Sequence, residues 1–257
     1  MAVRLEPVGP GHLADLRRLE LEGVTGSAGR FAGAVPSPAA YAEALWSGVL
    51  AQRAVVVDGT VHGLVSAYDH DPRSGTAWLA AWGDHRHLGT GSVAGGALRF
   101  VEWVFAAWPL RWLYAETTSA NLERFSSALD GWATEVARLP GRHRRGGVLV
   151  DGVVLACDRA TVDAAIRPRL HAAERAAPAA PHAAPEVVLA GIGELLGRPT
   201  AGWRPADRLV DELGLDSLEL FLVALWLEER WGVELDADAL AGASAVALAA
   251  ATRPDPR

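Results

Sequence analysis

The chain contains no lysine: its 24 Lys+Arg positions are all arginine, a bias to which the sequence attaches no function. It holds one cysteine, Cys157, in 257 residues. An internal disulfide is thereby excluded, and a reducing, cytoplasmic setting is expected. Cys157 itself reads as a small buried hydrophobe in a strand. No run of about 18 uninterrupted apolar residues occurs, so no transmembrane helix is expected. Met1 to Pro10 lacks a basic segment followed by an apolar core, so no secretory signal is expected either. No metal site is anticipated.

Positive charge is scarce in one region. Residues 186–257 carry 13 Asp+Glu against 6 Arg, a net of −7, while residues 1–185 carry 18 of each. The whole formal charge of the protein, −7, thus belongs to the C-terminal segment. Phosphates repel such a surface, which argues against nucleic acid as a partner. The same surface suits a small domain that docks onto basic patches of other enzymes.

The chain divides at residues 176–185, Ala-Ala-Pro-Ala-Ala-Pro-His-Ala-Ala-Pro. Proline every third or fourth residue blocks helix and sheet and favours a semi-rigid tether. Residues 1–175 form one domain and 186–257 a smaller one. In the first, Gly11–Leu21 and Pro38–Leu50 have helical spacing. Ala54–Val57 and Val61–Tyr68 read as strands joined by an Asp58-Gly59 hairpin turn, with Thr76–Trp82 as a third strand. A long helix (Gly91–Ala107) and a strand (Arg111–Glu116) follow. Next come a helix (Leu122–Leu129), strands around Thr134–Leu139 and Gly147–Asp158, and a closing helix from Thr161 to Arg175. The fold class expected is α+β, a mixed, mostly antiparallel sheet with helices on both faces. The second domain reads as a small all-α bundle of four helices. In its helix Ser217–Trp231, Leu218, Phe221, Leu222, Leu225 and Trp226 make one apolar face, with Glu219, Glu228 and Glu229 at the margins.

Two constellations carry chemistry. Arg86-His87-Leu88-Gly89-Thr90-Gly91-Ser92 lies between a strand and a helix, where glycines expose consecutive N–H groups and the helix N-terminus favours a phosphate. Arg-x-x-Gly-x-Gly in this setting resembles the CoA pyrophosphate loop of the GNAT superfamily of CoA-dependent N-acetyltransferases. Leu110 to Thr117 with Asn121, and Asp130-Gly131-Trp132, resemble the subgroup that acetylates ribosomal-protein N-termini. Gly147 to Cys157 resembles that subgroup's last hairpin, with an Asp-Gly turn at Asp151-Gly152. The resemblance spans about Val3 to Arg159. It implies that Arg86 to Ser92 hold the CoA pyrophosphate, that Asn121 contacts pantetheine, and that the strand Thr76–Trp82 polarises the thioester carbonyl. The tyrosine with which many members reprotonate the leaving thiolate is replaced by Phe125 or Ala128. Proton-transfer candidates are Glu116, His87 and Asp84, with His85, Ser119 and His143 behind them. Arg142, Arg144 and Arg145 flank His143 in an expected hairpin loop, either a solvated tip or a receiver for the acidic domain.

The second constellation is Leu213-Gly214-Leu215-Asp216-Ser217-Leu218-Glu219-Leu220. It resembles the phosphopantetheine attachment site of acyl and peptidyl carrier proteins. The resemblance implies a 4′-phosphopantetheine arm on Ser217, installed from CoA by a phosphopantetheinyl transferase. An acyltransferase tethered to a carrier raises the local concentration of each for the other. Three readings follow. In the favoured one an acyl-CoA, acetyl by default, donates to the arm or to an amine tethered on it, in polyketide or nonribosomal-peptide biosynthesis. In the second, the arm's thioester is the donor to an external amine. In the third, the first domain is a non-catalytic scaffold, and the carrier docks partner enzymes.

Overall fold

The computed structural model describes residues 3–23, 35–83, 92–123, 125–126, 131–145, 147–174, 183–233, 235 and 237–252. The first domain is built on a seven-stranded sheet. Its strands are β1 (Val3–Pro7), β2 (Val49–Val57), β3 (Thr60–Asp71), β4 (Thr76–Gly83), β5 (Trp112–Thr118), β6 (Thr134–Arg145) and β7 (Val148–Asp158). They lie in the order β1-β2-β3-β4-β5-β7-β6. Every neighbouring pair is antiparallel except β4 and β5, which run parallel. The β2–β3 hairpin turns at Asp58 and Gly59, with φ of 48° and 80°. Those are the two left-handed residues that a tight hairpin needs.

Period-two alternation gives the sheet two apolar faces. Val55, Val65 and Leu113 face α3 (Ser92–Ala107) through Phe100, Val104 and Phe105. Ala54, Val56 and Leu64 face α1 (Pro10–Gly23) and α2 (Pro38–Leu45) through Leu16, Leu19, Tyr41 and Leu45. After β5 comes a single helical turn, α4 (Ser119–Leu122), capped by Thr118. Residues 124 and 127–129 of the helix expected over Leu122–Leu129 lie outside the described residues. The closing helix is α5 (Arg159–Thr161), a π turn (Val162–Ile166) and α6 (Arg167–Glu174). Pro168, which has no N–H to give, sits just past the π turn. Arg167 Nε donates to Glu102 Oε1 at 2.9 Å, and His171 Nε2 stands 3.2 Å from the same oxygen, tying α6 to α3.

Two expectations are corrected here. Arg142 to Arg145 are not a loop but the end of β6, and Asp151-Gly152 is not a turn but the middle of β7. The strands join at Arg145 and Val148 instead. Asp151 is used sideways: its Oδ1 accepts from Gly141 N at 3.0 Å where the β6–β7 register shifts.

The C-terminal bundle has α7 (Pro185–Leu196), α8 (Ser217–Trp231), α9 (Ala237–Ala241) and α10 (Ala245–Ala251). Asp216 caps α8, its Oδ1 accepting from Leu218 N at 3.0 Å and Glu219 N at 3.1 Å. Glu219 Oε2 accepts from Asp216 N at 3.0 Å and closes a capping box. The sequence puts Glu219 at a solvated margin, but it is buried and paired with Arg198 at 3.1 Å. Leu220, Val223 and Leu227 are buried too, so α8 has no solvent face along most of its length. A helix that is apolar all round is wrapped on every side. Here α7 and α9 take part of it, and α3 and α6 of the first domain take the rest.

Burial raises the Glu219 carboxyl above its ordinary value. The folded chain therefore holds that proton more tightly than the unfolded chain. The stability this adds is complete below the unfolded pKa and is lost as pH rises through the raised one. Glu219→Gln, which keeps an acceptor for Asp216 N, should gain Tm relative to wild type as pH goes from 4 to 7; thermal melts at those two values check it.

Candidate active site

Strands β4 and β5 pair at Thr76–Trp112, Ala77–Leu113, Trp78–Tyr114 and Leu79–Ala115, and then part. Beyond that apex Ala80 to Gly83 keep β3 on their outer side, and Glu116 to Thr118 keep β7. Among the described residues no strand lies between their inner edges, and a cavity of about 410 Å³ fills the split. Its walls come from both faces of the sheet. Tyr68, Ala80 and Glu116 stand on the α1/α2 side, while Leu79, Leu113 and Ala115 stand on the α3 side. A ligand in the split therefore passes through the sheet. Parted strands offer unpaired N–H and C=O groups to an extended chain, and amide-bearing arms use such groups as an added strand would.

Glu116 lies at this split with its carboxylate a quarter exposed, and its Oε1 is 3.0 Å from His143 Nε2. Arg142 Nε donates to the same oxygen at 3.4 Å. The cluster exists because Gly152 lets it in: a Cβ there would stand 2.9 Å from Arg142 Cγ and 3.1 Å from Glu116 Oε1. Glu116 and His143, both candidates from the sequence, are thus brought together, and His143 reaches the site from a strand rather than a loop. A carboxylate and an imidazole in contact at a cleft can accept and relay a proton. Asn121 lines the cavity, its Nδ2 donating to Thr117 Oγ1 at 2.9 Å. Phe125 lines it also and has no proton to give. Asp84, His85, Arg86, His87, Leu88, Gly89, Thr90 and Gly91 lie outside the described residues; Ser92 begins α3. Ser119 is in α4.

Cys157 is on the cavity wall, and burial pushes its thiol up to about 12. At neutral pH it is a protonated, apolar wall atom and not a nucleophile.

Ser217 is half-buried, the first residue of α8. Phe221, one turn further on, rests its ring on Gly95 in the first turn of α3, and a Cβ built there would overlap the ring. Arg99, one turn along α3, lies over the same ring at 5.9 Å. Residues four apart share a helix face, so Ser217 is on the side of α8 that meets α3. Leu218, its neighbour, forms part of the cavity wall. The sequence puts Leu218 and Phe221 on one apolar face without naming what covers it; the structure uses them against the first domain. One signal was available: Gly95-Gly96 inside a long helix costs about 1 kcal/mol per glycine relative to alanine, and marks a close approach. Gly96 supplies it to Val55 of the sheet, and Gly95 to Phe221.

Comparison with known proteins gives each half a place. Residues 186–252 match the phosphopantetheine attachment site family. The first domain superposes on an N-acetyltransferase from Staphylococcus aureus Mu50, with 11% identity and a TM-score of 0.53 over 62% of this chain and 99% of that one. The fold is that of the GNAT N-acetyltransferases. The ribosomal-protein-alanine N-acetyltransferase from Brucella melitensis agrees at 14% identity and a TM-score of 0.51, over 62% and 99% of the two chains. So does yncA from Salmonella typhimurium, described with its cofactor acetyl-CoA, at 15% identity and a TM-score of 0.50, over 62% and 94%. No curated protein matches the chain. The protein thus joins an N-acetyltransferase fold to a C-terminal bundle that matches the phosphopantetheine attachment site family, and that bundle sits against α3. No helix among the described residues is long and apolar enough to cross a membrane.

With its thiol so far above neutrality and buried, Cys157 should resist iodoacetamide at pH 8 in the native protein and react readily in denaturant. Rapid native labelling, read by intact mass, would contradict the placement.

Proposed function

We propose that the protein is an acyltransferase whose cleft takes its thioester from the carrier arm on Ser217 and passes the acyl group to an amine. The observation that supports this reading is the seating of α8: Phe221 on Gly95, Leu218 in the cavity wall, and Ser217 one turn before Phe221 on the same face of α8. Attached to Ser217, a phosphopantetheine supplies a terminal thiol that holds an acyl group as a thioester and is regenerated when an amine takes that group as an amide, the amine's proton balancing the thiolate.

The chain's own residues do the rest. Leu218 and Phe221 hold the carrier so that the cleft opens beside Ser217. The inner edges of Ala80–Gly83 and Glu116–Thr118 offer paired contacts to an extended amide chain, and N–H groups there polarise a carbonyl. Glu116, backed by His143, takes the proton of an acceptor arriving from the α1/α2 side. Apolar walls keep water from the thioester. Asn121 lies where it can orient the arm. The domain limits of 1–175, 176–185 and 186–257 fit this division, with a phosphopantetheinyl transferase and assembly-line enzymes of polyketide or nonribosomal-peptide type as partners.

A second reading keeps free acyl-CoA as donor and the arm, or an amine on it, as acceptor. Its support is the sequence Arg86 to Gly91, with Arg86, Gly89 and Gly91 as pyrophosphate contacts. Since α8 covers the first turn of α3, CoA then binds only when the carrier has lifted away.

The two readings separate in one experiment on the full chain. Phe221→Ala removes the ring from Gly95, a loss of roughly 2 kcal/mol or more of docking. The proposal expects the apo chain to bind CoA about tenfold more tightly in this variant than in wild type, by calorimetry. It also expects the acyl-holo chain to acylate an amine faster in wild type than in the variant. Equal CoA affinity in both would refute the shared cleft. Glu116→Gln should lower the transfer rate by about 10²-fold with little change in CoA affinity.

A further inference from the structure

The cavity does not stop where the strands part. Its apex is the pair Leu79–Ala115, yet Leu113, two residues below on β5, also lines it, as does Cys157 opposite Leu113 on β7. Two residues of strand are about 7 Å. On the helix side the wall is a single stripe of α3, Ala94, Ala97, Leu98 and Val101, which at 1.5 Å per residue extends for about 10 Å. The stripe is small near the carrier and larger at depth. Ile166 of the π turn closes the end.

The chemistry of the wall changes along the way. Glu116, Thr117 and Asn121 are grouped above the apex, while Tyr68, level with Trp78, stands on the α1/α2 face of the sheet. Below the apex Leu98, Val101, Leu113 and Ile166 are aliphatic, and Cys157 is a protonated thiol. No carboxylate, amide or cation lines that depth among the described residues. A polar or charged acyl group would lose its water there and gain no partner.

We infer that the deep end of the cleft is a pocket for a straight aliphatic acyl chain, of about four to six carbons at roughly 1.3 Å of advance per carbon over 7 Å. This rests on the reading that the Ser217 arm enters the cleft, and it replaces acetyl by a short fatty acyl group as the substrate class. A malonyl or aminoacyl group is disfavoured by the same walls.

The test uses the full chain, converted to holo forms bearing acetyl, hexanoyl, malonyl or a hexanoyl with a terminal diazirine. Hexanoyl should raise Tm over acetyl by at least about 4 °C, and malonyl should not. Val101→Trp, which fills the depth, should abolish the hexanoyl gain and leave the acetyl value relative to its own apo form. On irradiation the diazirine should label Val101, Leu113 or Ile166. Label on Tyr68 or β6 would overturn the pocket while leaving the arm in the cleft. Label inside the C-terminal bundle, with a hexanoyl gain that survives Val101→Trp, would overturn both the pocket and the proposed function. A chain that melts equally with acetyl and hexanoyl would overturn the pocket as well.

Discussion

One aromatic ring resting on bare helix backbone sets the arrangement of the molecule. Because Gly95 has no side chain, Phe221 brings α8 onto α3. Everything that gives Ser217 a purpose in this chain follows from that contact. Without it α8 would be one helix of an acidic bundle on a tether, and Leu218 would have no part in the cleft. The supporting parts are ordinary. Glu102 ties α6 to α3 through Arg167 and His171, so the platform under α8 is one piece. The Asp216–Glu219 capping box fixes where α8 begins, and hence where Ser217 lies. Linking two modules through a short tether makes their meeting intramolecular, and a small docking energy is then enough.

The second constraint is the parting of β4 from β5. Parallel pairing over four residue pairs, followed by separation, leaves backbone groups with no strand partner on either side of a gap. That gap connects the two faces of the sheet. The carrier lies on one face, and the Glu116–His143 pair lies toward the other. Under the proposed function, donor and acceptor would reach the gap from opposite faces of the sheet.

Much of this was legible in the chain. The Ala/Pro tether, the acidic C-terminal excess and Asp216-Ser217-Leu218 pointed to a carrier, and the strand and helix periods gave the mixed sheet. What was not legible has physical causes. Period reading cannot say which partner covers an apolar face, so the face bearing Leu218 and Phe221 was legible but its use as an interface between domains was not. Glu219 looked like a margin residue, because a charge on a helix is usually solvated; its burial depends on Arg198, 21 positions away in the chain. Asp151-Gly152 has the composition of a hairpin turn, yet the register shift opposite it needs a carboxylate for Gly141 and bare backbone for Glu116. The pairing of Glu116 with His143 spans 27 residues and depends on that same shift, which no local pattern encodes.

The measurement that tests the account most directly is amide hydrogen exchange across α3 and α6 in the full-length protein and in its Phe221→Ala variant. If the carrier is seated as described, wild type protects the first turns of α3 and the whole of α6. The variant loses that protection while the strands of the sheet exchange as before. If α3 exchanges identically in the two, the carrier does not rest on Gly95, and the cleft is not served by Ser217.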